Sequence, residues 1–386
     1  MPLLERIHAL HPELTALRRA IHARPETAFE EHHTAARVAE ELTRYGLEVH
    51  TGLAGTGVVG TLSAGRSHRA IGLRADMDAL DLQETTALPY ASTRSGKMHA
   101  CGHDGHTAML LGAARYLAET RAFDGTIQFI FQPAEENVAG GRRMVEEGLF
   151  ERFPVEAVFG LHNMPGLPAG TLGVRAGPVM ASADFFELTL TGRGGHGAYP
   201  HKARDPILAA AHIITAWQGI VSRQVDPIES AVISVTRING GHTTNVIPET
   251  VNLAGTARAF KGEVQDLIER SMGQLAQGIA GASGLTASFH YDRRYPATVN
   301  GEREANLMLE AMLTTVGPEQ VRTDLPPTMG AEDFGWMLRA CPGAYGVIGN
   351  GASGAPLHNP GYDFNDAIIP TGVAFWVKLA QHLLPA

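Results

Sequence analysis

Three short apolar runs, Ala70–Leu73, Thr126–Phe131 and Ala157–Leu161, each end in a charged or polar tip. The first leads into Arg74-Ala75-Asp76-Met77-Asp78, the second into Gln132-Pro133-Ala134-Glu135-Glu136 and the third into His162-Asn163. With Gly57–Leu62 they read as β-strands. Helical spacing of apolar residues predicts helices over 4–22, over 31–45 (closed by Gly46) and over Asp104–Thr120. Strands alternating with helices imply a mostly parallel α/β sheet covered on both faces. In such sheets ligands bind beyond the carboxyl ends of the strands. The polar tips fall there three times over, which solubility alone explains poorly.

The middle of the chain changes pattern. From about Ala183 the order is strand (Phe185–Thr191), Gly-rich turn, helix (Asp205–Ser222), strand (Ser230–Ile238), strand (Thr250–Ala259), helix (Gly262–Ser283) and strand (Thr286–Tyr291). That β-α-β-β-α-β order is the ferredoxin-like unit. After Pro296 the alternation resembles the first half again. The expected organisation is therefore an α/β domain over 1–180 and 296–386, with a ferredoxin-like α+β domain, 181–295, inserted into it. No solenoid-length repeat and no low-complexity tract interrupts this pattern.

Composition excludes several roles. A formal net charge of -9 and a pI near 6.0 lack the basic stripe that a nucleic-acid partner needs. No Lys/Arg block favours a membrane surface. Only Cys101 and Cys341 occur, which rules out a disulfide framework and makes a reducing compartment the default. Met1–Arg24 reads as an amphipathic helix, lacking the apolar core of a signal peptide. The longest mostly apolar stretch, Ile207–Trp217, is broken by His212 and too short for a bilayer. These readings predict a soluble, cytoplasmic protein. Cys341 reads as an inert core residue.

The densest cluster is His99-Ala100-Cys101-Gly102-His103-Asp104-Gly105-His106-Thr107. Thiolate and imidazole suit zinc and other first-row divalent ions. On an extended segment Cys101 and His103 share one face, and Gly102 and Gly105 allow a tight turn around an ion. The competing reading is a loop with a buried cysteine and incidental histidines. Glu135-Glu136 is the second element. Adjacent carboxylates on an extended segment face opposite ways, so one can bind metal while the other stays free as a base. A Glu-Glu pair is otherwise a solvated edge. His162 and His358, taken singly, read equally as ligands or as satisfied structural histidines. His8, His11, His22, His32 and His33 read as surface or packing residues.

Together, His99–Thr107, Gln132–Glu136, Gly160–Asn163, Gly192–His201, Asn245–Pro248 and Leu357–Asp366 resemble the hippurate hydrolase and N-acyl-amino-acid amidohydrolase group. That group includes plant auxin-conjugate hydrolases and belongs to the aminoacylase and carboxypeptidase clan of two-metal enzymes. The resemblance runs from about Leu14 to His382. It implies a two-metal, aminopeptidase-like catalytic domain and an inserted lid and dimerisation domain. It assigns Cys101, His103, Glu136, His162 and His358 as metal ligands and Glu135 as general base. It implies that His196 polarises the scissile carbonyl in the partner subunit's active site, and that Asn245 and Arg258 hold a substrate carboxylate. A homodimer through the lid is expected, with a tetramer of two dimers as the alternative. The cofactors implied are two divalent ions, with Mn, Zn, Co and Ni all suited to the donor set.

This sequence departs from the clan at two places. Arg74 stands where other members carry a metal-binding histidine, and a guanidinium cannot ligate. The cysteine-bearing loop compensates, with Asp76 and Asp104 as supporting residues. Asp81-Leu82 replaces a common Pro-Ile, for which only a local loop change is expected. Two dications outweigh the Cys101 thiolate and the Glu136 carboxylate, so the site favours an anion, and Arg258 can fork onto a carboxylate. An N-acyl amino acid fits both features. The alternatives are a dipeptidase, a deacylase of an N-acetylated diamino acid, and a non-catalytic metal-binding protein of the same fold.

Overall fold

The structure, a computed structural model, describes residues 2–386 apart from the Asn137 side chain; Met1, part of the expected N-terminal helix, lies outside the described residues. The chain divides into two compact units. One comprises the chain through Val179 together with Val299–Pro326 and Asp333–Ala386; the other comprises Met180–Thr298 and Pro327–Glu332. The return of Pro327–Glu332 to the smaller unit departs from the expected boundaries. The segment joins the smaller unit because Ala181 N donates to the carbonyls of Thr328 and Gly330, and Thr298 Oγ1 donates to that of Glu332.

The larger unit is built on an eight-stranded sheet. Its centre is four parallel strands in the order Gly125–Gln132, Ala70–Asp76, Ala157–Pro165 and Gly343–Gly351. Gly57–Ala64 and Glu48–Leu53 extend one side antiparallel, while Leu172–Gly173 and Val321–Arg322 complete the other. The central strands are apolar at successive positions because helices cover both faces. Ile127, Phe129, Ile130 and Phe131 are all buried. Leu3–His22, His103–Thr120 and Ile369–Leu383 pack on one another, as do Gly140–Glu146 and Phe334–Ala340. Burial of these apolar side chains, at about 25 cal/mol per Å², is the main force holding the sheet in register. Among the described residues no helix is long and apolar enough to cross a membrane.

The smaller unit is an antiparallel sheet in the order Ala231–Asn239, Thr250–Ala259, Ala183–Thr191, Thr286–Tyr295. Helices Pro206–Arg223 and Gly262–Ala282 pack on each other and on that sheet. Thr250–Ala259 alternates buried with more exposed positions, as a strand covered on one face must. Asp205 caps the first helix by accepting from Ile207 N and Leu208 N, with Pro206 at its first position. Trp217, fully buried, donates its indole N–H to Met272 O at 3.0 Å, locking the two helices together.

Candidate metal centre

The site assembles where the parallel strands end. Ala70–Asp76 delivers Asp76 and, just beyond it, Asp78; Gly125–Gln132 leads to Glu135 and Glu136; Ala157–Pro165 carries His162. The loop ahead of helix His103–Thr120 brings Cys101 and His103, and a loop from the far end of the chain brings His358.

The local paths differ from the extended segments expected above. Gly102 is left-handed at φ 90°, and His103 already begins a helix. A Cβ at Gly102 would stand 2.3 Å from Asn163 Nδ2, so this turn requires glycine for space as well as for conformation. Ala134 is also left-handed, at φ 54°, and Glu135 and Glu136 open a four-residue helix. Successive helical side chains point about 100° apart, yet a carboxylate oxygen of each glutamate stays within 4.8 Å of the other and of His103. His358 too is left-handed, at φ 60°, and its N–H donates to Ala100 O at 2.8 Å. Non-glycine residues persist in this region only where their surroundings over-determine them.

Ligand atoms converge accordingly. Those of Cys101, Glu136 and His358 lie within 4.8 Å of one another, as do those of Asp76, His103, His106 and His162, and those of His103, Glu135 and Glu136. His162 Nε2 is 3.4 Å from Cys101 Sγ, and His103 Nε2 is 3.8 Å from Glu136 Oε1. His358 Nε2 is 3.3 Å from the same Glu136 oxygen.

Hydrogen bonding decides which nitrogens are available. His162 Nδ1 donates to Asn163 O at 2.7 Å, because a carbonyl can only accept, and this leaves Nε2 with a bare lone pair. His103 Nδ1 donates to Asp78 Oδ1 at 3.1 Å, again leaving Nε2. His106 is different. Its Nε2 accepts from Asn163 N at 2.9 Å and its Nδ1 faces Asp76 Oδ1 at 2.6 Å, so neither nitrogen is left for an ion.

Asp76 is similarly committed, to His106 and to Arg74 Nη1 at 2.8 Å. Arg74 is buried and also donates to Gln132 Oε1 and Asp333 Oδ1. It braces the strand ends against the segment at Asp333. Asp104 points away from the centre, toward Arg18 Nε at 2.9 Å and His22 Nδ1 at 2.8 Å, in a fully buried charged cluster. His22 is thus no ordinary packing histidine.

The charge balance calls for a cation. His103 Nε2 and Glu136 Oε1 are both buried without a hydrogen-bond partner, which is costly unless something positive lies between them. Burial opposes protonation of His103, yet Asp76, Asp78 and Glu136 outweigh it and push its pKa up to about 10. The Glu136 carboxylate likewise raises His358. Burial, followed by Glu136, Glu135 and Asp76, raises the Cys101 thiol well above its ordinary value. Burial, with His106 and His103 adding to it, instead lowers His162 well below its ordinary value. A Cys, His and carboxylate donor set fits a first-row divalent ion.

The profile of peptidase family M20/M25/M40 matches residues 72–382. Hippurate hydrolase of Campylobacter jejuni subsp. jejuni is 42% identical over 384 residues, covering 100% of both chains. The chain belongs to peptidase family M20/M25/M40. N-acetylcysteine deacetylase of Bacillus subtilis is 37% identical to this M20-family chain, over 97% of it and 98% of the relative. The solved YXEP protein of Bacillus subtilis, described as a dinuclear metal binding peptidase of the M20 family, superposes with a TM-score of 0.85 at 35% identity. That match covers 98% of this chain and 99% of YXEP. Like its relatives, the M20-family chain is a metal-dependent amidohydrolase by class.

The remaining sequence candidates lie in the smaller unit of this M20-family protein. His196, on strand Gly195–His196, pairs with Val246, and Gly197 N donates to Asn245 O at 2.8 Å, so His196 and Asn245 are neighbours. Both side chains are exposed. Arg258 lies opposite Val232 on the four-stranded sheet, and burial lowers its pKa, with Asp184 and Tyr295 opposing.

Sequence reasoning passed over Asp78, Asn163 and Asp333. Asp78 was legible in part, since it follows Asp76 by two residues beyond the same strand. Asp333 carried no such signal.

Proposed function

We propose that this enzyme hydrolyses the amide bond of N-acyl amino acids, of the N-acetyl and N-benzoyl type, releasing a carboxylic acid and a free amino acid. The observation that supports the reading is a set of adjoining donor groups: Cys101 with Glu136 and His358, His103 with His162, and His103 with Glu135 and Glu136, the ligand atoms of each group lying within 4.8 Å of one another. Cys101, His103, Glu136, His162 and His358 would hold two divalent ions. Such ions would supply Lewis-acid polarisation and a water acidic enough to deprotonate near neutral pH. Glu135 takes the proton from the attacking water and delivers it to the leaving amine. Its Oε1 accepts from Asp333 N at 3.2 Å, which aims the carboxylate.

In this reading His196 donates to the developing oxyanion from a partner subunit, a contribution of about 2.7–4 kcal/mol for one such donor. Asn245 and Arg258 hold the substrate carboxylate. Support for Arg258 comes from its half-buried guanidinium, which suits bidentate capture of an anion. Support for a homodimer comes from the smaller unit, where Tyr199, Ile207, Leu208, Ile228 and Ile238 are exposed and Ala231–Asn239 is an edge strand. A cytoplasmic location fits two buried, unpaired cysteines.

The test is release of free amino acid from a panel of N-acetyl and N-benzoyl amino acids. It uses metal-stripped protein with Mn, Zn, Co or Ni restored, beside Glu135→Gln. Metal-dependent release that disappears in Glu135→Gln supports the assignment. Release that survives in Glu135→Gln removes Glu135 as the base, and release by stripped protein removes the metal requirement.

A further inference from the structure

Glu31 has no part in the mechanism above, yet it is fully buried. It stands at the N-cap position of helix His32–Arg44, where a carboxylate ordinarily accepts from the first free N–H groups. Glu31 does not cap its own helix. Glu26 does so instead, accepting from His33 N and Thr34 N. The Glu31 carboxylate is directed elsewhere: Oε1 accepts from Ala134 N at 2.9 Å and Phe29 N at 3.1 Å, and Oε2 accepts from Thr56 Oγ1 at 2.7 Å.

Two of those partners are strained. Phe29 and Ala134 are left-handed non-glycine residues, at φ 63° and 54°. Ala134 is the elbow from which Glu135 and Glu136 emerge, and Ala139, at φ 56°, closes the short helix they begin. Gly140 N returns to Ala134 O at 2.9 Å. The elbow is thus clamped on its N–H by Glu31 and on its carbonyl by Gly140.

We propose that Glu31 is a positioning residue of the hydrolytic site, holding the left-handed elbow at Ala134 so that Glu135 and Glu136 point correctly. The inference rests on Glu135 acting as the base. What matters is the reach of an acceptor oxygen rather than the charge. A glutamine keeps that reach, with Thr56 able to accept from its amide; an aspartate keeps the charge but is one methylene too short.

The experiment measures kcat, KM and metal affinity for Glu31→Asp, Glu31→Gln and Glu31→Ala, using the best N-acyl substrate of the panel at saturating metal. A 1 Å misplacement of a reacting group costs on the order of 100-fold. Glu31→Asp and Glu31→Ala are expected to lose about that in kcat with KM little changed, and about 10-fold in metal affinity, because Glu136 leaves the same elbow. Glu31→Gln is expected to stay within about threefold of the parent. Adding Ala134→Gly to Glu31→Ala is expected to restore about 10-fold, since glycine adopts the left-handed conformation without steric cost. If Glu31→Ala does not fold, the opposed behaviour of aspartate and glutamine still decides.

Full kcat and metal affinity in Glu31→Asp would overturn the proposal, as would a glutamine variant as impaired as the aspartate. Glu135→Gln run in parallel separates the two claims. Retained turnover there removes the base and this proposal together. An inactive Glu135→Gln beside a fully active Glu31→Asp removes this proposal alone.

Discussion

Asp78 ties two of the proposed ligands to one carboxylate, and its removal has a calculable consequence. Oδ1 accepts from His103 Nδ1 at 3.1 Å, fixing the tautomer that leaves Nε2 for an ion, and Oδ2 accepts from Glu136 N at 3.0 Å. Loss of one such outer partner costs about 10–100-fold in metal affinity. Because Asp78→Ala loosens two donors together, the expected loss is at the upper end, about 100-fold, or roughly 2.7 kcal/mol. Asp78→Asn retains an acceptor oxygen for the histidine but loses the charge and, with an amide N–H₂ in place of Oδ2, the bond from Glu136 N, and should lose about 10-fold or more. The assay is a competition titration of stripped protein against a chromophoric chelator with Zn and with Mn, with circular dichroism to establish that each variant is folded. A folded Asp78→Ala that binds both ions within about threefold of the parent would refute the argument that outer-partner orientation sets affinity here.

Four further outcomes are expected. Dialysis against a chelator should abolish hydrolysis and lower the thermal midpoint, both reversed by restoring the ion, because an ion binding only the folded chain stabilises it; a midpoint unmoved by metal would contradict this. Gly140→Ala would bring a Cβ to 1.9 Å from Pro133 O, a backbone atom that cannot swing aside. A loss of about 2–3 kcal/mol in chemical denaturation is expected, together with reduced kcat, and an unchanged midpoint would count against the tight elbow. Burial opposes a charge on His22, but Asp104 and Glu84 outweigh it and raise its pKa to about 9. Its stabilising contribution is therefore complete below the unfolded value near 6.5 and is lost as pH rises through about 9. Calorimetry between pH 6 and pH 10 should show a decline of about 3 kcal/mol that is absent in His22→Gln. Arg258→Ala should raise KM for free N-acyl amino acids about 10-fold or more, but not for their carboxyl-blocked amides; equal effects on both would remove Arg258 from carboxylate recognition.

Much of the architecture is legible in the sequence. The runs end in Phe129-Ile130-Phe131 and Val158-Phe159-Gly160-Leu161, apolar at successive positions, which only a strand covered on both faces tolerates. The Phe185–Tyr291 region alternates between strand and helix periods in an order that one compact unit satisfies. The charged tips at Asp76, Glu135 and His162 marked the carboxyl edge of the sheet, where the fold gathers Cys, His and carboxylate donors. These features are local. Each is set by which neighbouring residues are apolar, so each survives in a one-dimensional reading.

The direction of individual side chains did not survive. Cys101 and His103 do not share a face of an extended segment, because Gly102 turns the chain. Glu135 and Glu136 follow a left-handed Ala134 whose N–H is held by Glu31, far away in sequence, and both approach His103 and do not face opposite ways. His106 belongs to the same dense cluster as His103, yet Asn163 and Asp76 occupy both its nitrogens, whereas Nε2 of His103 has no hydrogen-bond partner and Nε2 of His162 faces Cys101 Sγ. Asp333 and the Pro327–Glu332 return segment carry no periodic signal. The sequence alone determined which residue types were present and which faces were apolar; only tertiary contacts across most of the chain decided which nitrogen lost its proton, which carboxylate was spent on a backbone N–H, and which donors were left facing one point. The physical reason is range: burial patterns repeat every few residues along the chain, whereas a hydrogen bond is decided by whichever partner the completed fold brings within about 3 Å.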